Sequence, residues 1–272
     1  QVCAGGDGAL DEMDVGFKVG PRINAVGRLY HAHKVVEAFT GESPDLLIQY
    51  MEKCNEERKA IQKKIVDQAM EQADAQKDAP VLFLGHPDWH EGVVGIAASK
   101  IAEEYWRPVF LFKRGEKICK GSARSIPNFD VTALMMEVSQ HFHKFGGHPA
   151  AGGFSFKVEK EEEVKKAILE VAENLRDASP NFWDSLAKYD CQLPSNLLDL
   201  DLLDTLDTMK PYGNGFEMPT FRVKARLLRC QYYNDKQTLK PKHTCFHIES
   251  KTGTKKLVFF NKVFDHIQEA IK

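Results

Sequence analysis

The sequence predicts an α/β domain with a mixed sheet, preceded by one long connector helix and followed by a small strand-rich barrel. Three observations carry this. Apolar residues recur at three- to four-residue steps from residue 43 to about 77. Short apolar runs then alternate with helical ones over residues 80–178, the pattern of a layered α/β domain. Beyond about residue 210 the chain becomes a series of β-like runs joined by polar turns. The expected division is 1–42, 43–78, 79–180 and 181–272.

Composition narrows the function classes. With 272 residues there is enough chain for more than one core. The formal net charge is −2, so the molecule is not a polycation and any nucleic-acid surface must be local. Cys3, Cys54, Cys119, Cys191, Cys230 and Cys245 are scattered, with no Cys-x-x-Cys pair, and read as reduced thiols rather than a disulfide framework or a zinc site. No apolar run approaches the ~20 residues of a membrane span, and no signal peptide is recognisable, so a cytoplasmic location is expected. The chain opens on Gln1 in what reads as the interior of a domain, and the expectation is a piece with something upstream.

Taken in order, residues 15–29 (VGFKVGPRINAVGRL) come first. Gly20-Pro21 punctuates them, and Arg22, Asn24 and Arg28 follow. On a helix Arg28 lies one turn beyond Asn24, whereas Arg22 and Asn24 cannot share a face. Forked guanidinium donors around an amide suit a phosphodiester; the competing reading is a helix start with solvated arginines. In the long helix, Ser43 offers a cap, Pro44 the first helical position and Asp45 a first-turn acid. Leu46, Leu47, Tyr50, Met51, Cys54, Ile61, Ile65 and Met70 form its narrow apolar stripe.

VLFLG (81–85) and PVFLF (108–112) are short buried strands, separated by a loop with His86 and His90 and a helix ending near Tyr105. No cysteine joins these histidines, and Asp88 and Glu91 are not in a metal-site arrangement. His86 and His90 are therefore expected to cap the helix or orient a neighbour, and no metal ligand is assigned. Residues 117–131 predict a third strand running into a Gly-Ser-Ala-Arg-Ser turn and a further helix. GGFSF predicts another strand, and residues 157–175 a solvated helix.

Ligands in such folds bind in loops at strand ends, and two glycine-rich stretches are expected there. In GSARS, the hydroxyls of Ser122 and Ser125 and the guanidinium of Arg124 make a plausible anion pocket. In KFGGHPAAGG (144–153), Gly146 and Gly147 let the backbone approach an anion, and His148 can donate to a phosphate; the bland alternative is a turn that happens to hold a histidine.

The last segment has a Leu/Asp-rich helix (196–209) and then basic strands. Lysine and arginine far outnumber acids over residues 210–262, with aromatics interleaved. Arg222, Lys224, Arg226, Tyr232, Tyr233, Lys242 and Phe246 describe an OB-like platform on which single-stranded bases stack, each worth ~1–3 kcal/mol. The rival reading makes the phenylalanines core and the lysines a solvated face.

GPRINAVGR, HPDWHEGVVGIAASKIAEEYWRP, GSARSIP and FGGHPAAGG occur in one order, and together they resemble the C-terminal two-thirds of the RecJ family, single-strand-specific 5′ to 3′ DNA exonucleases of the DHH phosphoesterase superfamily. NEERKAIQ (55–62) is similar to that family's connector helix, and PYGNGFEMPTF to the entry of its OB domain. The resemblance implies the tail of a DHH catalytic domain over 1–42, a DHHA1 domain over 79–180 and an OB domain over 181–272. It implies Arg22, Asn24 and Arg28 on the DNA backbone, Ser122 and Arg124 on the terminal 5′ phosphate, and Gly146, Gly147 and His148 at the scissile phosphate. Its cofactor is Mn²⁺ or Mg²⁺, held in the family by aspartates and histidines of the catalytic domain. No Asp-His-His occurs here, and Asp7, Asp11 and Asp14 do not match the metal motifs, so this chain is expected not to hydrolyse DNA unaided. Implied partners are single-stranded DNA in repair and recombination, with a single-strand-binding protein or a helicase as candidate protein partners, and no membrane. Two alternatives stay open: a non-catalytic RecJ-like nucleic-acid binder, and a DHHA1 phosphoesterase for small oligonucleotides or cyclic dinucleotides. The OB-like tail argues against the second.

Overall fold

The computed structural model of the chain describes residues 10–41, 44–178, 189–235, 238–250 and 253–264. Asp7, Cys3, the Ser43 cap, Lys236, Lys251 and the junction near residue 180 lie outside the described residues. Two compact units emerge, Gln1–Ser185 and Leu186–Lys272.

In the first unit, α1 (Glu12–Asp14) starts from a reciprocal cap between Asp11 and Asp14 and continues through a π-turn into α2 (Gly20–Leu29), with Pro21 in its opening turn. After α3 (His33–Thr40) comes α4 (Pro44–Asp74), 31 residues long. It changes partner halfway. Met51 and Cys54 pack on Ala25 and Val26 of α2, while Ile65, Val66, Ala69 and Ala73 join the core of the α/β layers. The expected stripe is thus partly corrected: Leu46 is 70% exposed, and the small residues Ala69 and Ala73 carry buried contact instead. Side-chain size is a poor guide where a helix lies close against its neighbour.

The sheet contains β1 (Leu82–His86), β2 (Val109–Lys113), β3 (Ile118–Arg124), β4 (Lys144–His148) and β5 (Ala151–Lys157), in the order β1-β2-β3-β5-β4. β1 and β2 are parallel, with α5 (Glu91–Tyr105) as the crossover; the other pairs are antiparallel. Alternation along each strand feeds two cores. Leu82, Leu84, Val109 and Leu111 face α4 and α5, while Phe83, Phe110, Phe112 and Phe156 face α6 (Val131–Glu137) and α7 (Glu161–Ala178). The outer edge of β1 is covered by the end of α4 and the turn after it: Gln72 donates to the Gly85 carbonyl at 3.4 Å, and Gln76 in the turn both donates to the Phe83 carbonyl and accepts from its N–H, at 3.3 Å each.

Two expectations about glycine are corrected. GSARS is not a turn, because Gly121 to Arg124 lie inside β3, and only Ser125 falls beyond it. KFGGHPAAGG is a hairpin, β4 and β5 around Pro149 and Ala150, rather than a loop. The reason is packing. A Cβ on Gly121 would sit 2.5 Å from the Leu111 carbonyl oxygen, and one on Gly152 2.5 Å from the Met135 methyl. These glycines admit neighbours into a sheet, a role that composition does not separate from that of a turn.

The second unit pairs β6 (Cys191–Leu193) with β7 (Phe221–Val223) in parallel, and β8 (Leu227–Asn234), β9 (Pro241–Ser250) and β10 (Gly253–Phe259) in an antiparallel sheet of order β10-β9-β8. The Leu/Asp-rich helix is α8 (Leu200–Thr208), with Asp199 accepting from the Leu202 N–H at 3.0 Å. Among the described residues the strands form these two ladders. No described helix is long and apolar enough to cross a membrane.

Candidate nucleic-acid interface

The site is built where the end of α2 meets the start of α5 and the face of β3. His90 caps α5 through its side chain, accepting from the Gly92 N–H at 3.1 Å. Any Cβ on Gly92 would lie 2.1 Å from the Arg28 carbonyl oxygen, so glycine is what lets α2 rest on that first turn. Arg28 Nη1 in turn donates to the Gly92 carbonyl at 3.2 Å. One turn further, a Cβ on Gly95 would be 2.9 Å from Arg124 Nη2 and 3.2 Å from Ser122 Oγ. Ser122 and Arg124, two apart on β3, therefore project together over the glycine face of α5.

Arg124 is held by Ser99 Oγ (3.1 Å from Nε), the Ala123 carbonyl (2.8 Å) and Ser122 Oγ, all neutral acceptors. Ser122 Oγ also donates to the Gly152 carbonyl at 3.3 Å. Beside this pair opens a cleft of about 600 Å³ lined also by Arg28, Gly95, Lys120 and Lys144. Its one carboxylate, Glu91, is 3.3 Å from Lys120 Nζ. Arg28, Arg124 and Lys144 have no carboxylate partner among the described residues. Burial, and then the charge of Arg28, pull the Arg124 pKa below the usual guanidinium value. A desolvated arginine beside a second cation, with no acid to compensate it, is an arrangement that an anion completes.

The other expected residues are dispersed. Arg22 pairs with Glu52 on α4 and donates to the Lys18 carbonyl at 2.7 Å, while Asn24 is exposed on α2. Of the GPRINAVGR residues, only Arg28 reaches the cleft. Ser125 turns away, donating to the Phe129 carbonyl at 2.6 Å. Gly146 has open space around it, and a Cβ on Gly147 would collide with the Ala151 carbonyl oxygen at 2.3 Å, keeping the hairpin tight. His148 is exposed at the hairpin tip, its carbonyl accepting from Thr132 Oγ1 at 2.8 Å, and it does not line the cleft. Lys120, Lys144, Gly95 and Ser99 were missed by the sequence reading. Their signals were periodic: Lys120, Ser122 and Arg124 alternate on one strand face, and Gly95 and Ser99 are one helical turn apart.

The histidines behave as helix-start residues: His86 Nδ1 accepts from the Asp88 N–H at 3.1 Å, and its ring stacks on Trp89 at 5.8 Å. No group of three or more His, Cys, Asp or Glu residues that could hold a metal occurs among the described residues, so these side chains do not fit a manganese or magnesium centre.

In the second unit Arg222 donates to the Tyr189 hydroxyl at 3.2 Å and lies over its ring, and Lys224 and Arg226 are exposed. Lys242 pairs with Asp235 at 2.8 Å. Two of the expected aromatics are packing residues: Tyr232 donates to the Phe264 carbonyl at 2.9 Å, and Phe246 packs on Phe259 at 5.1 Å. Tyr233 is exposed on the opposite face, which also bears Arg229, His247 and Lys256 in direct register across β8, β9 and β10. Arg229 and Lys256 belong to the basic surplus of residues 210–262, and the period of two along β8 places Arg229, Gln231 and Tyr233 together.

Comparisons with known proteins agree with both units. Family models match a DHHA1 domain at residues 76–174 and a RecJ OB domain at residues 189–270. The single-stranded-DNA-specific exonuclease RecJ of Bacillus subtilis is 35% identical over 178 residues, 63% of this chain and 23% of the relative. That of Dickeya dadantii is 33% identical over 81% of this chain and 40% of its own length. The chain thus spans well under half the length of these relatives. Among solved structures, Thermus thermophilus RecJ in complex with Mg²⁺ shares the fold, with TM-score 0.76 and 23% identity, covering 93% of this chain and 38% of that one. An exonuclease RecJ bound to manganese matches with TM-score 0.54 and 29% identity, over 59% of this chain and 41% of that one.

Proposed function

This chain belongs to the RecJ family, and from that premise we propose that it is the substrate-holding portion of a metal-dependent, single-strand-specific 5′ to 3′ DNA exonuclease, its cleft taking the terminal 5′ phosphate. The observation that carries the reading is Arg124: half-buried, held by neutral hydroxyls and carbonyls, and sharing the cleft with Arg28. A phosphate monoester brings up to two charges and three acceptor oxygens, enough to engage both guanidiniums and the Ser122 hydroxyl.

In this reading the four parts keep the boundaries 1–42, 43–78, 79–180 and 181–272. Gly146, Gly147 and His148, at the exposed hairpin tip, meet the scissile phosphate from across a cleft whose other wall is a catalytic domain. The basic face of β8 to β10 carries the strand onward by stacking and phosphate contact. Manganese or magnesium in such an enzyme would activate water and clamp the reacting oxygens, and its ligands are not among the residues of this chain that the structure describes. Holding the strand and hydrolysing it are therefore separable, and the chain binds without cutting. A single-strand-binding protein or a helicase as partner rests on the family resemblance alone.

The test is anisotropy of labelled single strands with and without a 5′ phosphate, against the chain and its Arg124→Gln variant. The phosphate is expected to tighten binding about tenfold, and the variant to erase that difference. Equal binding of the two strands by the unaltered chain would overturn the reading.

A further inference from the structure

No residue of NEERKAIQ (55–62) lines the cleft, yet its centre is built with care. Arg58 Nη2 donates to Asn55 Oδ1 at 2.7 Å and Nη1 to Gln62 Oε1 at 2.6 Å. Asn55 is only 1% exposed, so the acceptor that orients the guanidinium is itself fixed. Both acceptors are neutral amides, one turn to either side on α4. The neighbouring acids are engaged elsewhere: Glu56 pairs with Lys59 at 2.7 Å, and Glu57 accepts from the Tyr30 hydroxyl at 2.9 Å. Arg22, by contrast, reaches the same helix from α2 and has a carboxylate, Glu52. Arg58 is half-buried, rigidly held and without an ion pair.

Its surroundings order three arginines. Tyr30, at the end of α2, donates to Glu57, the residue before Arg58, and so places that end beside this stretch of α4. Burial and then the charge of Arg28 depress the Arg58 pKa; burial and then Arg28 also depress that of Arg124. Arg28, at the end of α2, lines the cleft with Arg124 and bonds to the start of α5, while α4 carries Arg58 beside that same end of α2.

We propose that Arg58 is a phosphodiester-binding residue for the strand just behind its terminal nucleotide, so that the three arginines form a track for successive phosphates of one single strand. The inference rests on the cleft holding the terminal 5′ phosphate. Glu56 partly offsets the charge of Arg58 without bonding to it, and guanidiniums held by neutral acceptors suit a polyanion with regularly spaced charges better than any single anion; each contact adds about 0.7 to the salt slope of single-strand binding.

Competition binding against a labelled strand tests it, using thymidine 5′-monophosphate and 5′-phosphorylated oligothymidylates of two, three and six nucleotides on the 272-residue chain. Arg58→Gln is expected to leave the mononucleotide unchanged, to weaken the longer strands about fivefold and to lower the salt slope by about 0.7. Arg58→Lys keeps the charge but loses the fork, and falls between the two. Arg124→Gln weakens every competitor, the mononucleotide included. Equal affinity of Arg58→Gln for all lengths, or a loss as large for the mononucleotide as for the six-mer, would overturn the track while leaving the cleft reading intact. No loss in Arg124→Gln would overturn the cleft reading and the track with it. Should thermal unfolding show Arg58→Gln to be misfolded, the length dependence of Arg58→Lys decides in the same way.

Discussion

The two units present positive charge to solvent in opposite ways. In the cleft of the first, the charge is partly buried, fixed by neutral partners and placed against a glycine-faced helix. On the sheet of the second, Arg229 and Lys256 are exposed cations in register on either side of His247, which is itself buried. A desolvated, geometrically fixed arginine discriminates between anions, because the wrong shape leaves it unpaired. A row on an open sheet is tolerant and salt-sensitive. Under the proposed function, the contrast corresponds to recognition of a strand end by the first unit and hold on the strand's length by the second.

Underlying it is a difference in cores. Phe112 is fully buried and touches Phe83 at 4.8 Å and Phe156 at 5.1 Å, whereas Phe246 is half-buried between Phe259 and Phe264. Phe112→Ala should therefore cost the first unit about 3–5 kcal/mol by chemical denaturation. Phe246→Ala should cost the second about 1–2 kcal/mol, since less area returns to water. Comparable losses would remove the distinction between a rigid and a thin unit.

The next effect in size is on binding. Arg124→Gln should forfeit about 1.4 kcal/mol, the tenfold preference, on a 5′-phosphorylated strand and little on an unphosphorylated one. Arg229→Ala should weaken both strands alike, by about 0.5–1 kcal/mol, and lower the salt slope by about 0.7. If Arg229→Ala proved selective for the phosphorylated end, the proposed division of labour between the two faces would be wrong.

Much of this was legible in the sequence, and the gaps have physical causes. The strand and helix alternation over 80–178 was readable because apolar runs in two-sided sheets are continuous, as VLFLG and PVFLF are. Ser122, Arg124 and Arg28 stand out in the sequence because their side-chain chemistry suits an anion, and the structure brings the three to one cleft. Gly121 and Gly152 misled, because glycine marks both a turn and a close approach, and only the opposing atoms distinguish them. Tyr232 and Phe246 were placed on a binding surface because the period of two gives faces but not which face is covered. Arg22 was set on the substrate side because its partner, Glu52, is thirty residues away and invisible to local spacing.

The smallest expected effect concerns acid. Burial, followed by the charges of Arg229 and Lys256, pulls the His247 pKa below its ordinary 6.5. The folded state thus favours the neutral imidazole, which accepts or shares a hydrogen at 3.2 Å from Arg229 Nη2. Since the folded pKa is the lower one, the stabilisation is present above pH 6.5 and is lost as pH falls through the folded value. Unfolding of the second unit, followed from pH 7.5 down to pH 5, should show a fall in stability that His247→Gln flattens, because glutamine cannot take up the proton. The same series should leave the cleft, whose described lining holds no histidine, unaffected in its preference for a 5′ phosphate until the phosphate itself begins to protonate near pH 6. A preference that tracked His247 instead would mean that the two basic surfaces do not act independently.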